Sequence, residues 1–164
     1  RPITNHILRS VLDPLLAQPV NEINARTYAE ERKIEVVETV STENQKQTTL
    51  ISIQLLNSKQ SVLVEGSIFE KKKLWLVSID GIPLQTPLKK FVLFIRNQDK
   101  PGVVGSVGTL LGENKINIAS FVLGRQDNTD KAIGLINTDN LIPERLIEKI
   151  REIPAISYAR LVKL

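Results

Sequence analysis

Residues 96–108, RNQDKPGVVGSVG, gather the groups best suited to hold a small charged molecule. Asp99 offers a carboxylate to an ammonium group, and Asn97 and Asn117 carry amides that both donate and accept. Pro101 sets φ near the helical value and lacks an N–H that a helix start would leave orphaned. The spacing predicts a helix over 102–113. The N–H groups of Gly102, Val103 and Val104 then face outward at its positive end, ready for a carboxylate. An anion socket, one carboxylate and two amides make a receptor for a free amino acid. The same residues also admit a plainer assignment, with Asp99 as a cap or turn residue and both Asn as strand ends.

The helix itself is unusual. Val103, Val104, Val107, Leu110 and Leu111 gather on one face at 100° per residue, suited to packing on a sheet. Gly105, Gly108 and Gly112 form a second stripe, and glycine inside a helix costs about 1 kcal/mol relative to alanine. A bare backbone stripe invites close approach by another chain, a ligand, a loop, or a neighbouring helix of the same chain.

The elements that must position these residues follow from periodicity. From 91 onward the chain reads FVLFIRN as a strand, the glycine helix, NIASFVLG as a strand, a polar turn and AIGLINT as a strand. PERLIEKIREI is then a helix with Pro at its first position, and SYARLVKL a final strand. That order, β-α-β-β-α-β, is the ferredoxin-like arrangement. Residues 3–17 form an amphipathic helix that Pro14 kinks or ends, and a weaker amphipathic face follows at Ile23, Ala25, Tyr28 and Ala29. IEVVETV (34–40), TLISIQLL (49–56), SVLVEGSIF (61–69) and LWLVSID (74–80) read as strands. GIPLQTP, with one Gly and two Pro, is expected to continue neither helix nor central strand. The fold class is α+β, with a boundary near residue 90 between a smaller antiparallel α+β domain (1–90) and a second domain (91–164).

Bulk composition excludes several classes. The 164 residues contain no cysteine, which removes disulfides, thiolate metal sites and a thiol nucleophile. The start at Arg1, with no methionine anywhere, is expected of a piece of a longer polypeptide. No stretch reaches a membrane-spanning length and no signal peptide opens the chain, so a cytoplasmic protein is expected. The net charge of +4 divides evenly, +2 on either side of residue 90, with signs interspersed rather than massed as a nucleic-acid footprint. The one dense basic run, Lys71, Lys72 and Lys73, reads as a solvated hairpin turn. His6 is the single histidine and has no carboxylate partner in a motif; it is expected to pack or face solvent. No catalytic residue and no metal ligand is assigned.

The stretch NQDKPGVVGSVGTLLGENKINIASFVLGR, with IPERLIEKIREI and ARLVKL, resembles the ACT domain of bacterial D-3-phosphoglycerate dehydrogenases across residues 91–164. PVNEINARTYAEERKIEV and VEGSIFEKKKLWLVSIDG carry a weaker resemblance to the family's intervening, allosteric substrate-binding domain, whose first strand and helix lie outside this chain. The resemblance implies a ferredoxin-like ACT domain after an intervening domain. It also implies an effector, L-serine, bound where two ACT domains meet. The family's polar residue two before the loop position falls on Asn97, where members often carry a bulkier ring. The loop residue falls on Asp99 and the strand-two amide on Asn117. An anion-binding cluster of the intervening domain would fall to Lys71, Lys72 and Lys73, since Trp75 stands where a basic residue is usual.

The parent enzyme implied is an NAD-dependent oxidoreductase that opens L-serine biosynthesis and assembles as a homo-oligomer, with paired ACT domains. This chain has no G-x-G-x-x-G, so no cofactor is expected in it. Two alternatives stand beside this reading: the regulatory part of an L-serine dehydratase, and a basic nucleic-acid-binding module. Few aromatics and no aromatic-basic strand speak against the second, so neither nucleic acid nor membrane is expected as a partner.

Overall fold

The computed structural model describes residues 2–40, 49–69 and 73–164. The chain forms two compact units, Arg1–Lys46 and Gln47–Leu164. The first holds α1 (Pro2–Leu12), a 3-10 turn (Asp13–Leu15) and α2 (Ala25–Glu31). Pro14 lies in that turn and ends the first α-helix, as its missing N–H requires. Leu8, Leu12, Val20, Ala25 and Ala29 form a small core. Two expectations need correction here. Of the weak amphipathic face, Ala25, Ala29 and the partly buried Tyr28 pack on this core, while Ile23 is 91% exposed. Residues 34–40 form no strand: no strand among the described residues pairs with them, and Val37 and Val40 face solvent.

The second unit opens with an antiparallel meander of β1 (Leu50–Leu56), β2 (Ser61–Phe69), β3 (Lys73–Ile79) and β4 (Ile82–Pro87), in that spatial order. Asp80 and Gly81, both at positive φ, make the two-residue turn between β3 and β4 that Asp-Gly favours. The segment GIPLQTP, expected to continue neither helix nor central strand, supplies the edge strand β4. As an edge strand, β4 pairs on one side only, and there prolines are tolerated.

The remainder is β5 (Phe91–Gln98), α3 (Val103–Glu113), β6 (Ile118–Arg125), β7 (Lys131–Thr138), α4 (Glu144–Arg151) and β8 (Ile156–Lys163). The sheet order is β6-β7-β5-β8, antiparallel throughout, so the expected β-α-β-β-α-β arrangement is present. Pro143 caps α4 one residue before its first turn. Alternation along β5 and β7 sends side chains to two cores. Leu93, Ile95 and Ile136 meet Val107, Leu111, Leu146, Ile147 and Ile150 of the helices. Val92, Ile133 and Leu135 meet Leu76, Ile79, Ile82 and Leu84 of the first sheet.

The central sheet is therefore covered on both faces, and β7 is buried at every position after Lys131. The close sheet contact needs glycine at 124, where a Cβ would lie 2.6 Å from Ile82 Cγ2 and 2.7 Å from the Pro83 carbonyl. Asn137, fully buried, ties the connection to the sheet. It accepts from the Lys89 N–H at 3.1 Å and donates to Pro87 O at 3.0 Å and Ser120 Oγ at 2.8 Å.

Candidate functional site

The segment between β5 and α3 shapes a cavity of about 360 Å³, lined by Asn97, Asp99, Lys100, Pro101, Gly102, Val103, Val104, Leu123 and Arg125. Its helix begins one residue later than expected. Pro101 sits in the preceding turn, and Gly102 is the N-cap at φ 92°, ψ −17°. Proline followed by glycine at positive φ is what a type II turn asks of its two central residues. The first α-helical bond runs from the Ser106 N–H to Gly102 O at 2.8 Å. Among the described residues no backbone acceptor takes the N–H of Gly102, Val103 or Val104, so these donors remain available at the positive end of α3. Val104, expected in the core, is 45% exposed and borders the cavity instead; Leu110 is only partly packed.

Asn97 closes the row of inward-facing residues on β5 after Leu93 and Ile95, and is 5% exposed. Its Nδ2 donates to Gln98 O at 2.7 Å, while its buried Oδ1 has no partner among the described residues. A buried acceptor left unpaired costs free energy, commonly about 1–3 kcal/mol, and such groups in native proteins ask for an explanation. Asp99 is held by its backbone N–H on Asp130 O at 2.6 Å. Its carboxylate also has a partner in its own chain, since Arg125 Nε lies 3.2 Å from Asp99 Oδ2. The acid still borders the cavity, but it is not bare as expected.

Asn117 does not join this group. β5 and β6 run parallel to each other with β7 between them: Arg125 pairs with Ala132, which pairs with Asn97. The far end of β6 sits in the row of Phe91 and Thr138, about 20–25 Å away along the strands. There Asn117 Nδ2 donates to Asp139 Oδ2.

Arg125 is the residue that sequence reading missed. The signal was present in the expected topology, because the end of strand two shares an end of the sheet with the end of strand one.

Among the described residues the glycine stripe is open: a Cβ at Gly105, Gly108 or Gly112 would meet nothing within 4 Å, so no described element packs closely on it. Lys71 and Lys72 lie outside the described residues, and Lys73 opens β3. His6 is on α1 and bonds Glu22 at 2.9 Å. The glycines entering α3 follow a strand whose two hydrogen-bonded neighbours are both antiparallel, whereas the glycine-rich turn of a dinucleotide cradle leaves a strand of a parallel sheet.

Comparison with known families agrees with this layout. Residues 1–80 match the D-3-phosphoglycerate dehydrogenase intervening domain, and residues 91–155 match the ACT domain. A D-3-phosphoglycerate dehydrogenase of Methanocaldococcus jannaschii is 33% identical over 99% of the chain. The chain belongs to the D-3-phosphoglycerate dehydrogenase family. Enzymes of that name from Bacillus subtilis (28% identical over 99% of the chain) and Synechocystis (27% over all of it) align along the same stretch. The chain spans about 30% of the length of these relatives, and it corresponds to their intervening and ACT, regulatory, part. The dehydratase and nucleic-acid readings draw no support from these relatives. No helix among the described residues is long and apolar enough to cross a membrane.

Proposed function

We propose that this chain is the effector-sensing part of a D-3-phosphoglycerate dehydrogenase, and that its effector is L-serine held at the start of α3. The parent would be a cytoplasmic, NAD-dependent enzyme oxidising 3-phosphoglycerate, with substrate and cofactor held by domains other than these. One observation carries the reading: among the described residues the buried Asn97 Oδ1 has no partner, beside three amides that no backbone group takes and the Arg125-paired carboxylate of Asp99. An α-amino acid has a partner for each group. Its carboxylate meets the amides of Gly102, Val103 and Val104, its ammonium meets Asp99, and a side-chain hydroxyl can donate to Asn97.

The site is completed by a second copy of the chain through the free edge of β6. An antiparallel pair about a two-fold axis at the strand's middle sets residue 118 opposite residue 125 of the other copy. Asn117 of the partner subunit would then arrive beside Arg125 and the cavity. Pairing through β8, the opposite edge, would leave Asn117 remote from both cavities. Binding of serine would favour one arrangement of the paired domains, and through it one activity state of the attached enzyme.

Titration calorimetry of the chain with L-serine tests this. Saturable heat at millimolar ligand or below is expected, with affinity reduced at least tenfold in Asp99→Ala. No heat from the unsubstituted chain contradicts it.

A further inference from the structure

Asp99 and Arg125 form an ion pair, and both line the cavity where a ligand's charges would go. Arg125 Nε lies 3.2 Å from Asp99 Oδ2, and the Arg125 side chain is 68% exposed. Among the described residues Arg125 makes no second ion pair. An exposed, single-contact pair contributes little stability and is readily broken. Breaking it for one charge alone is another matter. An amine that takes Asp99 leaves the guanidinium without its counter-charge. A carboxylate that takes Arg125 strips Asp99 in the same way.

A zwitterion differs from both. Its ammonium can replace Arg125 on Asp99 while its carboxylate replaces Asp99 on Arg125, reinforced by the amides of Gly102, Val103 and Val104. Two ion pairs then stand where one stood, and no charge is left over. Arg presents several donors in a rigid fork, which suits this second role. The unpartnered, nine-tenths buried Asn97 points independently to a bound molecule in the same cavity.

Building on the effector reading above, we propose that Arg125 is a specificity-determining residue of this site. It trades its partner Asp99 for the ligand's carboxylate, and so restricts the cavity to α-amino acids over plain amines and plain acids.

Calorimetry with L-serine, ethanolamine and 3-hydroxypropionate, on the unsubstituted chain and on Arg125→Gln, tests this. Arg125 is exposed at a strand end, so the variant is expected to keep its thermal midpoint, which circular dichroism would check. The unsubstituted chain is expected to bind serine at least thirtyfold more tightly than either analogue. In Arg125→Gln serine should weaken at least tenfold. Ethanolamine should bind more tightly than before, because Asp99 is now free. An unchanged serine-to-ethanolamine ratio in the variant overturns the exchange and leaves the effector reading standing. Failure of the unsubstituted chain to take serine overturns the effector reading, and this inference with it.

Discussion

At the scale of single residues, the cavity lining separates what the fold requires from what the proposed ligand requires. The left-handed conformation of Gly102 serves the fold, turning the chain out of β5 into α3, while its N–H is one of the proposed ligand donors. Asp99 contributes differently. Its one ion pair is solvent-screened, so Asp99→Ala is expected to change unfolding free energy by less than about 1 kcal/mol, read from urea midpoints, even as serine affinity falls. A loss of stability larger than that would make Asp99 a scaffold residue and the binding loss indirect. Sequence reading found Asn97, Asp99 and the helix start because residue type and chain spacing carry that chemistry locally. It could not find that Asn97 Oδ1 is buried without a partner, since burial depends on what the sheet and α3 place over it. Nor could it find that Asp99 already has a cation beside it, because Arg125 is brought there only by the pairing of β6 with β7.

At the scale of elements, the second domain was legible almost throughout. Its strands and helices each have one dominant period, and the order alone fixed the ferredoxin-like arrangement. Two segments before it were not. Val36, Val37 and Val40 look like a strand, but pairing needs a partner that composition cannot supply. The prolines in Ile82–Pro87 look like breaks, but an edge strand with one free side accepts them.

The glycine stripe of α3 is open among the described residues. Nothing lies within 4 Å of a Cβ at Gly105 or Gly108, so the double variant Gly105→Ala/Gly108→Ala should stabilise the chain by about 1–2 kcal/mol through helix propensity alone. Thermal denaturation at low protein concentration reads this. A destabilised double variant would mean that something packs on the stripe in solution.

At the scale of the whole molecule, the proposed serine site needs two copies, because Asp99 and Asn117 lie at opposite ends of one sheet. That geometry gives a sharp expectation. Asp99→Ala and Asn117→Ala chains, each defective in serine binding alone, should recover about one intact site per mixed dimer after subunit exchange. The intact site takes Asp99 from one chain and Asn117 from the other. If both residues acted within one chain, mixing would restore nothing. The central claim, that a small amino acid seats its carboxylate on the first amides of α3, is tested most directly by nuclear magnetic resonance of the labelled chain during titration with L-serine. The account predicts that the amide signals of Gly102, Val103 and Val104 shift together and saturate, with the Arg125 Nε–H signal moving alongside them. Amides that stay silent while serine binds elsewhere, or that never respond, would contradict it.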